Sequence, residues 1–387
     1  MNAVYSTVDL LKHLVAIPSV NPDGNPGVTR PGEGALVRFL ARLLRSTGAK
    51  VRIDEILPGR PNLLARFPLR STQRSSVRRR VLFAPHSDTV SVVGMTIDPF
   101  DPVVKGGKLF GRGASDTKGP MAAMLTALMD VVERDEYLDG HTEFHFAAFM
   151  GEEAGCVGSR SFTSLAEAKD YALAVIGEPT DFHVVHAHKG AVWAEITVPG
   201  QAGHASVSLP DSNAHFKMAR VLTALEKDFL PWLARHPHPV LGCATATPTI
   251  LAGGSKANIA PQDSRLTLDI RTVPNLSRRM LMTKLDELLK ATGTGARFQF
   301  PEGGMALDTP PDHPLIQAIL PATRGLTVAP WFCDAASLAA VGVPAVALGP
   351  GSILQAHTKD EWIRVKDLED GHQRFVRIME YLMESRS

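Results

Sequence analysis

Five short segments of this 387-residue sequence place histidine or carboxylate side chains after apolar runs or within glycine-rich loops. In chain order they are His86-Ser87-Asp88, Asp116 within residues 111–119, Gly151-Glu152-Glu153, Gly177-Glu178-Pro179 and Gln355-Ala356-His357. Ligands of open α/β sheets bind at the carboxyl ends of the strands. We therefore expect the five segments to meet along one edge of a sheet.

Such a cluster of carboxylates requires a cation. Carboxylates packed closely repel one another and are costly to remove from water. A donor set that mixes imidazole with carboxylate suits Zn²⁺, Co²⁺ or Mn²⁺ better than Ca²⁺ or Mg²⁺, which prefer oxygen ligands. One such residue alone could be an ordinary solvated acid at a strand end. The five segments together instead predict a metal centre.

Several other catalytic motifs are not met. The segment His141-Thr142-Glu143-Phe144-His145 is not the H-E-x-x-H zinc motif, because its second residue is Thr. The glycine-rich segment before Thr117 matches neither the dinucleotide fingerprint nor the P-loop. The sequence contains no G-x-S-x-G elbow. No base is evident for Cys156, which we interpret as a small apolar residue.

Composition and charge argue against two other classes of protein. Forty-one Lys and Arg balance 40 Asp and Glu, for a formal net charge of +1, which is not typical of a nucleic-acid binder. No apolar run reaches the roughly 18 residues of a spanning helix, and the first residues lack a signal-peptide pattern. The three cysteines are expected to be reduced. We expect a cytoplasmic enzyme with a small-molecule substrate and neither nucleic-acid nor membrane partners.

The elements that must position these residues alternate between strand and helix. Strands are predicted at residues 50–57, 62–67, 80–85, 144–150 and 171–176, with helices at 120–133 and near 161–169. This alternation predicts an α/β domain, whose mostly parallel sheet is flanked by helices.

The pattern changes near residue 186 to strands in which apolar and polar residues alternate, as at 193–198 and 265–271. Such strands belong to a sheet with one solvated face. Strand and helix alternate again after residue 301. We therefore predict a catalytic domain made of residues 1–185 and 302–387, interrupted by a smaller α+β domain at 186–301.

In this order, the five segments resemble those of the co-catalytic zinc amidohydrolase and metallopeptidase family. That family includes acetylornithine deacetylases, succinyl-diaminopimelate desuccinylases and carboxypeptidases. The resemblance extends from Ile17-Pro18-Ser19-Val20 to Asp360-Glu361-Trp362. Residues 348–357, followed by Asp360-Glu361, look most like the acetylornithine deacetylase branch.

The resemblance implies two divalent metal ions, zinc before cobalt or manganese, with Asp116 bridging them. It assigns two further ligands to each ion: His86 and Glu178 to one, and Glu153 and His357 to the other.

The resemblance also assigns residues beside the metals. Glu152 would be the general acid and base, and Asp88 would hold the far nitrogen of His86. A cis peptide bond is implied between Asp116 and Thr117.

Residues 186–301 resemble the lid and dimerisation domain of the family, which implies a homodimer. His204, in Gly203-His204-Ala205-Ser206, would reach the partner subunit's site and stabilise the oxyanion. Asn258 and Arg271 match residues that hold the substrate.

The implied activity is hydrolysis of the amide bond of an N-acyl amino acid, most like the deacetylation of N-acetylornithine. Succinyl-diaminopimelate desuccinylation and small-peptide carboxypeptidase activity stay open as alternatives on the same metal site. A binding protein that kept the fold without catalysis would have to lose a ligand or the base, and the sequence retains them all.

Overall fold

The computed structural model describes residues 5–23, 32–69, 79–138, 140–301 and 303–385. Its strands are β1 (Lys50–Leu57), β2 (Arg60–Arg66), β3 (Arg79–Pro85), β4 (Val103–Lys105), β5 (Lys108–Phe110), β6 (Thr142–Ala148), β7 (Tyr171–Gly177), β8 (Val184–His188), β9 (Gly190–Pro199), β10 (Gly203–His204), β11 (Thr245–Gly253), β12 (Ile259–Ala260), β13 (Asp263–Thr272), β14 (Arg297–Gln299), β15 (Leu307–Asp308), β16 (Leu326–Ala329), β17 (Ala345–Ala347) and β18 (Trp362–Arg364). Its helices are α1 (Thr7–Val15), α2 (Glu33–Ser46), α3 (Lys118–Val132), α4 (Asp135–Leu138), α5 (Val157–Thr163), α6 (Ala214–Ala224), α7 (Leu230–Ala234), α8 (Arg278–Ala291), α9 (Pro314–Ile319), α10 (Ala335–Ala339) and α11 (Val365–Glu384).

The described chain packs as two units. The first contains the residues up to His186, together with Thr309–Val328 and everything from Cys333 onwards. The second contains Ala187–Asp308 and Ala329–Phe332. This second unit extends past residue 301, the predicted end of the smaller domain, because the short strand β15 pairs with Ala187 and His188.

The first unit is built on a mixed sheet in the order β1-β2-β6-β3-β7-β17-β8. Its centre is parallel, because β3 pairs in parallel with β6 and β7, and β7 pairs in parallel with β17. Helix α3 packs on β3 and β7, and it also contacts α1 and α11. The predicted α/β fold class is confirmed.

Burial explains why these elements take their positions. Four consecutive residues of β3, from Val81 to Ala84, are fully buried, as expected of a parallel strand covered on both faces. Helix α3 is apolar on nearly every side and buried over almost its whole length. These two buried elements hold the polar segments that adjoin them, since His86 directly follows β3 and Asp116 lies just before α3.

The helix predicted near residues 161–169 lies earlier than expected. Helix α5 ends at Thr163, and a separate 3₁₀ turn covers Ala166–Asp170. Between them, Leu165 is extended, with φ −80° and ψ 140°, which interrupts the helical hydrogen bonds.

The second unit has an antiparallel sheet in the order β11-β13-β9-β14. Along β9, Ala194, Ile196 and Val198 are fully buried, whereas the residues that alternate with them are exposed. The buried residues join a core cluster that includes Leu285 of α8 and Val221 of α6. The alternation of apolar and polar residues in this strand therefore reflects one helix-covered face.

Among the described residues, none of the helices has the length and apolar character needed to cross a lipid bilayer.

Candidate metal centre

The first unit brings the predicted segments together because three of them follow adjacent strands. Pro85 at the end of β3 is in register with Gly177 at the end of β7, so His86 and Glu178 leave the sheet side by side. His86 also forms a parallel bridge with Phe149, just beyond β6, which brings Glu152 and Glu153 to the same edge. The carboxyl ends of neighbouring strands therefore supply the site, as the sequence predicted.

Asp116 lies at the centre of the cluster. Its Oδ1 atom is 3.1 Å from Nε2 of His86, and its Oδ2 atom is 3.3 Å from Nε2 of His357. The same nitrogen of His357 is 3.0 Å from Oε2 of Glu153. Asp116 thus faces a different imidazole with each carboxylate oxygen. The predicted cis peptide bond between Asp116 and Thr117 is confirmed.

Ligand atoms of His86, Asp116 and Glu153 lie within 4.8 Å of one another, which is compact enough to hold a metal ion. Glu178 is also buried beside His86, with 4% of its surface exposed. Its Oε1 atom has no hydrogen-bond partner among the described residues. A buried carboxylate oxygen without a donor is costly, and a cation would satisfy it.

The three glutamates of the cluster have raised pKa values. Burial raises the pKa of Glu152 and of Glu178 well above the ordinary value, and neighbouring carboxylates add to the shift. Burial, followed by repulsion from Asp116, raises the pKa of Glu153 to about 7. Burial of these three carboxylates therefore disfavours their charged forms unless a cation compensates.

The two histidines and Asp116 show the opposite tendency. Hydrogen bonds with Asp116 and then Glu153 raise the pKa of His357 to about 10. For His86, burial favours the neutral ring, but hydrogen bonds with Asp116 and Asp88 outweigh it and raise the pKa well above its ordinary value. Burial opposes ionisation of Asp116 too, yet both histidines hold its pKa well below the usual range.

This donor set fits a divalent metal. It combines two imidazoles with buried carboxylates whose mutual repulsion a divalent charge would offset. The unpartnered oxygen of Glu178 offers a further ligand atom. Mixed nitrogen and oxygen donors are typical of zinc and its transition-metal relatives.

Asp88 has more contacts than the sequence indicated. Its carbonyl oxygen is 3.0 Å from Nδ1 of His86, and its Oδ1 atom is 3.4 Å from the same nitrogen. Its carboxylate also accepts the backbone N–H groups of Glu152 and Glu153, each at 3.1 Å. Asp88 therefore holds the histidine and the double-glutamate turn in one arrangement.

Asn21 is a functional candidate that the sequence reasoning missed. It is fully buried, and its Nδ2 atom donates to Oδ2 of Asp88 at 2.7 Å. Its backbone N–H donates to the carbonyl of Thr89, which fixes the loop after α1 against the loop after β3. Because 67 residues separate Asn21 from Asp88, no local spacing in the sequence could reveal the contact.

Asp334 is a second missed residue. It is fully buried, and its Oδ1 atom accepts a hydrogen bond from Oγ of Ser159 at 2.5 Å. Burial raises its pKa to about 6, and its charge in turn raises the pKa of Glu152 and of Glu178. Its only signal in the sequence is an acidic residue in the otherwise small and apolar run Cys333-Asp334-Ala335-Ala336.

The other three predicted site residues belong to the second unit. His204 is exposed at the end of β10, with its Nδ1 atom 2.7 Å from Oγ of Ser206. Asn258 lies close by, since its carbonyl accepts the N–H of Ala205. Arg271 lies on β13, where its guanidinium pairs with Asp269 at 2.8 Å.

Comparison with known proteins identifies the family. Residues 82–381 match the model of Peptidase family M20/M25/M40. The chain is 30% identical over 390 residues to the acetylornithine deacetylase of Proteus mirabilis (strain HI4320), an alignment that covers 96% of both proteins. The chain therefore belongs to this family and is a metal-dependent amidohydrolase, and the resemblance of its motifs is confirmed.

Solved structures of other M20 proteins share the fold. The M20 family metallo-carboxypeptidase Sso-CP2 from Sulfolobus solfataricus aligns with a TM-score of 0.82 at 15% identity, covering 98% of this chain and 99% of that one. The Bacillus subtilis YXEP protein, a dinuclear metal binding peptidase from the M20 family, aligns with a TM-score of 0.69 at 12% identity, over 97% and 98% of the two chains.

The contact between Asn21 and Asp88 can be tested by stability. Replacing Asn21 with alanine removes a donor to a buried carboxylate, so we expect Asn21→Ala to lower the free energy of unfolding by about 1.5–3 kcal/mol. Urea unfolding of the metal-free protein measures the change. Asn275→Ala, an identical substitution at an exposed position, is the control. Equal losses in the two variants would show that the buried hydrogen bond of Asn21 adds no more stability than the exposed hydrogen bond of Asn275.

Proposed function

We propose that this member of the M20/M25/M40 family hydrolyses the amide bond of an N-acyl amino acid, with N-acetylornithine as its substrate. The observation that carries the proposal is the central position of Asp116, whose two oxygens face two different histidines. Identity of about 30% to an acetylornithine deacetylase along almost the whole chain supports the choice of substrate.

We further propose that two divalent ions occupy the centre, zinc before cobalt or manganese. Asp116 would bridge them. The remaining ligands would be His86 and Glu178 on one ion, and Glu153 and His357 on the other. When bound, the ions would polarise the amide carbonyl. They would also lower the pKa of a water molecule, so that it loses a proton readily near neutral pH and becomes a better nucleophile.

In this proposal Glu152 moves the proton. It is buried beside the ligand Glu153, and its backbone is held by Asp88. Burial keeps the pKa of its carboxyl well above the ordinary value, which suits a group that must both accept and release a proton near neutrality. Glu152 would take a proton from the attacking water and deliver it to the departing amine.

The second unit would supply the remaining groups through a homodimer. His204 of one subunit would donate a hydrogen bond to the developing oxyanion in the partner subunit's site. Asn258 and Arg271 would hold the substrate. Because Asn258 lies on the loop that contacts Ala205, a shift of that loop would move His204 and Asn258 together.

The sheet of the second unit suggests where the dimer would form. Strand β9, which includes the alternating residues 193–198, lies between β13 and β14, so its backbone edges are already paired. Strand β11 is an edge strand, and Ile250 and Leu251 on it are each 60% exposed. An exposed apolar edge strand favours pairing with another chain. We therefore place the dimer contact along β11.

Substrate and metal content can be tested in one set of assays. Purified protein should contain two divalent ions per chain, and N-acetylornithine should give the highest kcat/KM among N-acetylornithine, N-succinyl-diaminopimelate and dipeptides. Chelation should abolish hydrolysis, and added Zn²⁺ or Co²⁺ should restore it. Full activity with one tightly bound ion would reject the dinuclear mechanism. Preference for the succinyl substrate or for dipeptides would replace the deacetylase assignment with the corresponding alternative.

Substitution of Glu152 tests the proton-transfer step. Glu152→Ala should bind metal like the wild type and lower kcat by about 10²–10⁴-fold, since a positioned acid or base typically contributes this much. Steady-state kinetics and metal analysis measure the two effects. Glu369→Gln, at an exposed position of α11, serves as the control. Near-normal turnover of Glu152→Ala would assign the proton transfer to another group.

Mixing two inactive variants tests the action of His204 across the dimer. After subunit exchange, half of the dimers formed from His204→Ala and Glu152→Ala chains contain one intact site of two, so activity should return to about a quarter of the wild-type level. Each variant alone stays inactive. Confirmed exchange without recovery would show that His204 does not act in the partner subunit's site. An active monomer would contradict the role of the dimer.

A further inference from the structure

Glu361 is a fully buried carboxylate that lies four positions after His357. Among the described residues, its carboxylate accepts four hydrogen bonds from the loop that carries Asp116. Oε1 accepts the backbone N–H groups of Ser115 and Asp116, at 2.7 and 2.8 Å. Oε2 accepts the backbone N–H of Gly113 and Nη1 of Arg112, both at 2.9 Å.

This loop forms an anion-binding concavity. Successive backbone N–H groups that converge on one point make such a nest, which ordinarily binds a phosphate or another anion. Gly113 contributes a positive φ of 84°. Here the protein's own Glu361 occupies the nest. Arg112 is buried beside it and balances its charge, with its Nη1 atom 2.9 Å from Oε2.

The contact joins two segments that both carry proposed metal ligands. Glu361 restrains the backbone of Asp116, because the N–H of Asp116 is one of its four donors. His357 reaches the centre from the same segment as Glu361. The backbone of Gly111 also donates to the carbonyl of Glu361, and β18 pairs with β5, which fixes both ends of the contact.

Asp116 needs this support more than a ligand on a strand would. It lies in an irregular turn between β5 and α3, where no sheet ladder restrains it. A small rotation of the turn would move one of its carboxylate oxygens away from its histidine. Glu361 removes that freedom by holding the N–H groups of both Ser115 and Asp116 on one oxygen.

We propose that Glu361 is a positioning residue that sets the metal affinity of the centre by fixing Asp116 between His86 and His357. The inference rests on the proposed metal-dependent function. Glu361 is not one of the proposed metal ligands, because its carboxylate oxygens accept N–H groups of the loop. It acts through the backbone of the residue that bridges the two histidines.

Titration of the folded, metal-free protein with Co²⁺ tests this role, with the affinity read from the absorption of the bound ion. Glu361→Gln replaces one acceptor oxygen with an NH₂ group, which cannot accept the N–H donors that face it. We therefore expect Co²⁺ affinity to fall by about 10–100-fold, as is typical when a group that supports a ligand is changed. At saturating metal, kcat should fall and KM should change little. Arg112→Gln keeps the three backbone donors and should weaken binding less than Glu361→Gln does.

Glu33→Gln is the matched control, because Glu33 is equally buried and pairs with Arg60 at 2.7 Å. We expect it to lose thermal stability but to keep Co²⁺ affinity within about twofold of the wild type, well below the loss expected for a supporting group. A folded Glu361→Gln protein with wild-type affinity would overturn the inference. If that variant does not fold, Glu361→Asp decides in the same way, because its shorter side chain withdraws the carboxylate from the nest. Failure of the wild-type protein to bind Co²⁺ would instead overturn the proposed function, and the inference with it.

Discussion

The structure depends on how it accommodates negative charge at one edge of a sheet. Glu152 and Glu178 are buried and Glu153 is partly buried next to Asp116, and burial raises the pKa of all three glutamates. Repulsion among them opposes folding unless protons or cations compensate. The parallel strands β3 and β7 make the arrangement possible, because Val81 and Phe83 of β3 and Val175 of β7 belong to one buried apolar core that fixes their backbones. The rigid core therefore holds together side chains that would otherwise separate.

Much of this arrangement could be predicted from the sequence, since each segment has a local signal. His86 and Glu178 directly follow apolar runs, and parallel strands bring such positions to one edge. The ends of strands are also easier to locate when glycine or proline follows, as at Gly177 and Pro179. The alternation in β9 similarly predicted a sheet with one covered face, which the structure has. Local patterns of this kind predict which residues approach one another, without the distances.

Contacts that depend on distant segments had no such signal. Asn21 meets Asp88 across 67 residues, and Glu361 meets Asp116 across 245 residues. Glu361 belongs to a segment that carries the family resemblance, but nothing in that segment indicates the loop that Glu361 contacts. The edge position of β11 was also hidden, because the order of strands in an antiparallel sheet follows from packing and not from the period of apolar residues. Resemblance to a family supplied the roles of single residues, but not the hydrogen bonds that hold them.

Five acids at this edge divide into two groups by how their oxygens are satisfied. Among the described residues, the carboxylate of Asp88 accepts N–H donors from Asn21, Glu152 and Glu153, and that of Glu361 accepts donors from its nest. An oxygen already surrounded by N–H groups has little capacity left for a cation. In contrast, Oε1 of Glu178 lacks a donor, and the carboxylates of Asp116 and Glu153 face imidazoles that are themselves metal ligands in type. Hydrogen-bond donors therefore distinguish Asp88 and Glu361, which support the centre, from Asp116, Glu153 and Glu178, the proposed metal ligands.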